Sequence, residues 1–416
     1  MSLYQRPWQK GLTRSLCGYL RDLLIACFPF RRLPKALRVA LFGVDPAFVF
    51  LVHPRRKEDI YIAWPFVRPL RALLRRRFYA WLQCLPPTVL EVIKTPSGVH
   101  GVVVSSTWLP EALIHSRKAA LREARRCIRF SAKLSRPNAY LGLGEWWPFL
   151  TKRAEAVQSY ARTRRMQVTS GYCGTLCSLH LSVKEMARSA GIDVSQLRVM
   201  ILGVGKMGAS VARALVGEVG EIAVFDRNHR KQERVARELS AVSGQTIIGG
   251  LEHESQVALA LAKYDVCVCT TSNLRRIFTP NELPENTIVL DDSRPEAVPR
   301  VYDKQRGILV LEGGLMKIPG VELQYDFGFG NHEEVFGCLA EVYMLARDEG
   351  KVLAPTVGDV DPDNFRAMLS SQERLGIAAG GFWSGSIPVD PADIVAIIRR
   401  KHQKGPAMQE PALEKL

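Results

Sequence analysis

Three glycines, Gly203, Gly205 and Gly208, stand in G-x-G-x-x-G spacing directly after the apolar run RVMILGV that begins at Arg198. That spacing serves one piece of chemistry: it brings a diphosphate against backbone N–H groups at the start of a helix. The first glycine allows the tight turn, the second admits the pyrophosphate, and the third lets helix and strand pack closely. Gly203, Gly205, Lys206, Met207 and Gly208 are therefore the expected pyrophosphate contacts, ahead of a helix over 209–216 rich in Ala, Val and Leu. The alternative is a turn whose glycines serve geometry alone; a strand before and a helix after favour the dinucleotide reading. Asp226 ends the next apolar run, EIAVFD, at the distance where a carboxylate meets an adenosine ribose. Arg227, Asn228, Arg230 and Lys231 follow at once, and an arginine there accommodates a 2′-phosphate. The expected cofactor is NADPH, with NADH compatible with the same residues. Thr270, Thr271 and Ser272 follow VCVC at the carboxyl edge of a further strand, where hydroxyls are expected to face the cofactor.

Cys338 is the candidate for covalent chemistry. It lies in NHEEVFGCLAEVYMLARDEG, which reads as a helix with Asn331 at the N-cap and Glu334 in capping-box spacing. That reading puts Cys338 two turns in, with Glu334 and Glu341 at −4 and +3 on its face. Neighbouring acids raise a thiol pKa, which counts against reactivity unless another group intervenes. Gly337 lowers helix propensity and opens room for a close approach. Taken alone, Cys338 is equally a buried core thiol.

Strands and helices must position these residues. VCVCTTS, TIVLDDS and GILVLEGG are nearly continuous apolar runs, as in parallel strands buried on both faces, and they alternate with helices. QTIIGG reads as one more short strand, and helices are expected at 229–242 and 255–262. Cys267 and Cys269 alternate with valines and read as core. Nearer the N-terminus, LRVALFG, FVFLVHP, TVLEVIKT and GVHGVVVSS read as strands, while LRALLRRRFYAWL and 110–135 read as helices. The glycines of LGLGEWW mark a junction, and a helix over 147–165 leads onward.

The charge is uneven. Residues 1–80 hold 16 Lys and Arg against 4 Asp and Glu, so most of the chain's net +16 lies outside the nucleotide-binding region. LTRSLCGYLRDLLIACFPF, at 12–30, is too short and too charged to span a bilayer, but a basic amphipathic helix suits an anionic membrane surface. The competing reading packs it on its own domain. Arg75, Arg76 and Arg77 either bind a phosphate-bearing partner or are solvated. No signal-peptide pattern follows, and the nine cysteines show neither zinc-site nor disulfide-framework spacing. A cytoplasmic protein with reduced thiols is expected, peripheral at most to a membrane, with no metal site and no nucleic-acid partner.

From Val168 the motifs VTSGYCGTL, VMILGVGKMG, VLDDSRP, ILVLEGG, VFGCLAEVYMLA and IAAGGF, with SSTWLPEALIHSRKAALREA upstream, resemble the long-chain acyl-[acyl carrier protein] reductases of cyanobacteria over roughly 40–385. The resemblance implies reduction of a fatty acyl thioester, carried on acyl carrier protein or CoA, to a fatty aldehyde with NADPH. It places the nucleophile at Cys338, and oxyanion donors are sought at Thr169, Ser170 and Thr175 in the turn before the first nucleotide-domain helix. His180 is a possible base by residue type. Two departures stand out. TSGYCGTL replaces the family's T-G-N-x-H-T, losing Asn and His at Tyr172 and Gly174, which bears on the acyl pocket. The first forty and last thirty residues have no counterpart, which implies an added localisation device.

The expected fold is α/β: a Rossmann-type doubly wound parallel sheet flanked by an N-terminal α/β domain and a C-terminal helical portion. The expected parts are a basic extension over 1–36, an N-terminal domain over 37–165, a dinucleotide domain over 166–330 and a C-terminal portion over 331–416. Two alternatives remain open: a dehydrogenase of the shikimate or glutamyl-tRNA reductase kind, and a non-catalytic membrane-surface protein that binds nicotinamide cofactor.

Overall fold

The computed structural model describes residues 12–28, 33–243, 247, 254–272, 276–324, 327 and 332–403. The chain forms two compact units, one of Met1–Cys177, Met316–Phe327 and Asn331–Ala378, the other of Ser178–Leu315, Gly328–Gly330 and Ala379–Leu416. The segment expected as a separate C-terminal portion is thus divided, with residues up to 378 in the first unit and the rest in the second.

The first unit is built on a five-stranded sheet: β1 (Phe48–Val52), β2 (Thr88–Ile93), β3 (Gly101–Ser105), β4 (Ala139–Leu143) and β5 (Met166–Thr169). Its order is β2-β3-β1-β4-β5, and all neighbours are parallel except β2 and β3. Every residue of β1, β3 and β4 is buried, which accounts for their uninterrupted apolar sequences. Helix Arg117–Leu134 supplies Ala120, Ala124, Cys127 and Ile128 to the same core, and Ser116 caps its start by accepting from the Ala119 N–H at 3.3 Å. Helix Gly337–Asp348 packs on β4 and β1, with Val342 against Gly142 and Tyr343 edge-on to Phe48. That helix is apolar nearly all round because nearly all of it is buried.

Several expectations change here. LRVALFG is not a strand: Lys35–Phe42 is helical, bracketed by Pro34 and by Gly43, whose left-handed φ of 72° returns its N–H to the Val39 carbonyl. AYLGL is not a junction but β4, beside the central strand of the sheet. The helix expected over 147–165 is interrupted by three consecutive left-handed residues, Lys152, Arg153 and Ala154. That expected over 110–135 breaks at Ser116.

The second unit carries the doubly wound sheet. Its strands are β6 (Arg198–Leu202), β7 (Glu221–Phe225), β8 (Val266–Cys269), β9 (Thr287–Asp291), β10 (Tyr302–Asp303) and β11 (Ile308–Glu312). The order is β10-β11-β9-β8-β6-β7, parallel throughout except for β10 against β11. The chain runs outward from β6 to β7 and resumes on the other side at β8, so strand order switches between β6 and β8. Ligands bind outside the carboxyl ends of strands at such a point. The strand expected at QTIIGG falls largely outside the described residues; Ile247, within it, is buried. Cys267 and Cys269 are buried, burial raises both thiols, and none of the nine cysteines is in a disulfide. Among the described residues no helix is long and apolar enough to cross a membrane.

Candidate functional site

The three glycines of the loop after β6 sit in three different surroundings. Gly203, with φ 90°, follows β6, and a Cβ on it would lie 2.7 Å from Thr271 Cγ2. At Gly208 a Cβ would lie 2.0 Å from the Gly203 carbonyl oxygen and 2.6 Å from Thr270 Oγ1. At Gly205 it would meet only Lys231 Nζ, at 4.0 Å. The outer two glycines therefore hold the loop on β8, while the middle one leaves open space above the first turn of helix Lys206–Leu215. Lys206 is exposed and Met207 buried on that turn. The helix starts three residues earlier than its apolar pattern predicts.

The hydroxyls at the end of β8 do not all face outward as expected. Thr270 donates to the Gly203 carbonyl at 2.8 Å, and Thr271 Oγ1 lies 3.3 Å from Ser293 Oγ, so both are occupied within the protein. Their role is to hold the loop; Ser272 is the exposed hydroxyl of the three. At the end of β7, Asp226 accepts from the Asn228 N–H at 3.0 Å and pairs with Lys231 Nζ at 2.9 Å. Lys231 thus neutralises Asp226 and presents a cation beside the space over Gly205, while Arg227 is exposed next to it.

Cys338 belongs to the first unit, and its setting differs from the sequence-based expectation. Glu334–Phe336 is a strand, and the helix begins at Gly337 with Phe336 as N-cap. Cys338 is therefore the second residue of the helix, not two turns inside it. Glu334 is not on its helix face, although Glu341 is. Asn331, the expected cap, lies outside the described residues. The apparent capping box misled because a strand and a helix meet in one continuous stretch.

A second helix, Tyr172–Ala190, starts at the same place. Gly171, with φ 77°, precedes it, and a Cβ there would lie 2.3 Å from the Cβ of Cys338. At Gly174 a Cβ would fall 2.2 Å from the Gly337 carbonyl oxygen. The close approach of the two helices rests on Gly171 and Gly174, and a histidine at 174 would not fit this packing. Two helix N-termini thus meet at the Cys338 backbone; the second helix gives the Gly174 N–H to Glu341 and the Tyr172 N–H to Ser170 Oγ, while the helix of Cys338 favours negative charge at its start through its dipole. Phe336, the N-cap, makes no side-chain capping hydrogen bond.

Glu341 ties the two helices together. It is fully buried, accepts from the Gly174 N–H at 2.7 Å and takes the Thr169 hydroxyl proton in a second hydrogen bond. The Thr356 N–H donates in turn to Thr169 Oγ1 at 2.9 Å. Burial pushes the Glu341 carboxyl above its ordinary value, against the pull of these hydrogen bonds.

The remaining candidates are placed as follows. Thr169 and Ser170 are fully buried, and Thr175 lies inside helix Tyr172–Ala190, where its hydroxyl donates to the Gly171 carbonyl at 3.0 Å. Cys173 and Cys177 are buried, and their mutual hydrogen bond, with burial, pushes the Cys173 thiol well up. His180, in the second unit, is buried with Nε2 2.9 Å from Glu218, as a packed histidine would be. Among the described residues no group of three or more His, Cys, Asp or Glu is arranged to hold a metal ion.

His53 was missed because it ends an apolar run that reads only as a strand. It follows β1 at the carboxyl edge, where strand order switches between β1 and β4. Its Nδ1 lies 2.9 Å from the Pro54 carbonyl oxygen, and its Nε2 faces the Trp146 N–H at 3.2 Å, a pair satisfied by the Nδ1–H tautomer. Burial lowers its pKa, and burial lowers that of His180 likewise. Both histidines thus bind protons more readily unfolded than folded. Their contribution to stability is complete above about pH 6.5 and is lost as pH falls below it. The melting temperature should fall on acidification through this range, less steeply in His53→Gln and less again when His180→Gln is added. An equal slope in all three proteins would contradict the assignment.

Parts of this chain are similar to known proteins. A profile of the Shikimate / quinate 5-dehydrogenase family matches residues 185–299. The glutamyl-tRNA reductase of Methanococcus maripaludis is 24% identical over 163 residues, covering 34% of this chain and 41% of that protein. This chain therefore spans about two fifths of the length of that relative. The long-chain acyl-[acyl-carrier-protein] reductase of Synechococcus elongatus is 25% identical over 281 residues, 62% of this chain and 77% of that one. Among solved structures, a shikimate dehydrogenase in complex with NADP+ aligns at a TM-score of 0.32 and 13% identity, over 79% of this chain and 96% of that one. These relatives are oxidoreductases, and the likeness is at family level.

Proposed function

We propose that the chain reduces a long-chain fatty acyl thioester, carried on acyl carrier protein or CoA, to the fatty aldehyde, with NADPH as the reductant. The observation that carries this reading is Cys338 in the first turn of its helix, against Gly171 at the start of a second helix. The Cys338 sulfur attacks the thioester carbonyl, the carrier's C–S bond breaks, and the carrier thiolate leaves and takes a proton. First-turn N–H groups of the Cys338 helix stabilise the oxyanion that forms, with Thr175 as an added donor once its hydroxyl turns from Gly171. Gly203, Gly205, Lys206, Met207 and Gly208 would hold a nicotinamide cofactor, with Asp226, Arg227 and Lys231 at its adenosine end, and that cofactor would supply hydride. The reduced acyl carbon, still bonded to Cys338, then releases aldehyde and returns the thiol. Glu341 keeps the two helix starts together throughout.

The test is aldehyde formation from acyl-carrier protein or acyl-CoA donors with NADPH. A second reading, a reductase of the glutamyl-tRNA kind, draws support from the methanococcal match and would appear as turnover of glutamyl-tRNA instead.

Cofactor choice gives a further test. Because Lys231 offsets Asp226, removing either charge should move selectivity in opposite directions. Asp226→Ala is expected to raise the NADPH to NADH ratio of kcat/KM about tenfold, and Lys231→Ala to lower it by a similar factor, each about 1.4 kcal/mol. Unchanged ratios in both variants would mean that the 2′-position of the ribose lies elsewhere.

A further inference from the structure

The helix Leu12–Cys27 is fastened to the first unit by one face only. Asp22 is buried and accepts from the Val89 N–H at 2.8 Å, Ile25 is buried, and Lys133 donates to the Ile25 carbonyl at 3.2 Å. The opposite face shows Leu16, Leu20, Leu23 and Leu24, with Phe28 just past the helix end, at exposures from 37% to 61%. Positions i, i+4, i+7, i+8 and i+12 make one stripe along a helix. Single exposed apolar residues are ordinary, but five large ones in one stripe mark an interaction surface.

The surroundings identify the partner. The Tyr19 ring meets Phe66 at 5.3 Å, which sets this helix beside Val67–Leu74. There Leu73 is 77% exposed, and Arg68, Arg71, Arg75, Arg76 and Arg77 are exposed as well. Residues 60–87 contain those five arginines and no acidic residue. Exposed leucine and phenylalanine on one helix, with exposed arginines on its neighbour, suit acyl chains beneath a layer of phosphates, and guanidinium groups bind phosphate oxygens in pairs. An acidic protein partner would satisfy the arginines but leave the leucine stripe uncovered.

We propose that this face docks the protein on an anionic lipid bilayer, with the helix lying in the interface rather than crossing it. The inference is independent of the reductase reading.

The experiment is co-sedimentation of the full chain with vesicles of mixed phosphatidylglycerol and phosphatidylcholine, and with phosphatidylcholine vesicles alone. The full chain should bind the mixed vesicles and not the neutral ones, and high salt should release it, since the Debye length falls to about 3 Å at 1 M. Leu20→Glu combined with Leu24→Glu should weaken partitioning about tenfold or more. Arg75→Gln, Arg76→Gln and Arg77→Gln together should do the same. The substituted side chains are exposed, so melting temperatures should be unchanged. Absence of binding to mixed vesicles, or binding by either variant as strong as that of the wild type, would overturn the proposal. Loss of a dimer, or of affinity for acyl carrier protein, in Leu20→Glu/Leu24→Glu without any vesicle binding by the wild type would assign the face to that partner instead.

Discussion

Replacing Cys338 with alanine is expected to eliminate aldehyde formation, lowering kcat by about four orders of magnitude or more, because removal of a covalent nucleophile leaves only binding and oxyanion stabilisation. Cys338 stands in the first turn of its helix where two helices begin, and Cys173, in the first turn of the other, is fully buried whereas Cys338 is not. Cys173→Ala and Cys177→Ala should keep most of the activity. Both thiols are buried, and the Cys173 thiol is pushed well above its ordinary range, so neither is suited to attack. Melting temperatures of all three variants, measured beside the rates, separate loss of chemistry from loss of packing. A Cys338→Ala protein that retained more than a few per cent of wild-type turnover would require direct hydride attack on the bound thioester.

The second large effect is expected at Gly205. Gly205→Val should weaken NADPH binding about 100-fold or more while leaving the melting temperature of the cofactor-free protein almost unchanged. A Cβ there meets nothing but Lys231 Nζ at 4.0 Å, so the loop has open space at this position, which a side chain would take from the pyrophosphate. The outer glycines should fail differently. Gly203→Ala combines a left-handed φ of 90° with a 2.7 Å contact to Thr271, and Gly208→Ala drives a Cβ into the Gly203 carbonyl, so both should lower stability itself. Fluorescence titration with NADPH and thermal melting distinguish the two kinds of failure. Undiminished affinity in Gly205→Val would remove the pyrophosphate from this loop.

The nucleotide-binding half was the more legible in sequence, for a physical reason. Gly203, Gly205 and Gly208 are set by local geometry, and strands buried on both faces print uninterrupted apolar runs, so local signals and fold agree. Around Cys338 they disagree. The spacing of Asn331 and Glu334 imitates a helix start, yet the helix begins after Phe336, and only that shift takes Cys338 from the interior of a helix to its positive end. The partner helix was equally hidden, since nothing local indicates that Gly171 and Gly174 must admit Cys338 and the Gly337 carbonyl. Strand β4 was missed for a related cause. Gly142 weakens its strand signal, but a Cβ there would lie 2.9 Å from Val342, so the glycine admits the helix that carries Cys338. Long-range packing chose these glycines, and a reading of neighbours along the chain assigns them to turns.

The central claim is that Cys338 takes the acyl group before any reduction occurs. Intact-mass analysis with peptide mapping, after incubation with an acyl-carrier protein or acyl-CoA donor in the absence of nicotinamide, tests it directly. The account predicts one added acyl group per chain, located on the peptide containing Cys338, absent from Cys338→Ala, and discharged as aldehyde when NADPH is added. No adduct with any activated acyl donor, or an adduct on Cys173 or Cys177 that persists in Cys338→Ala, would contradict it.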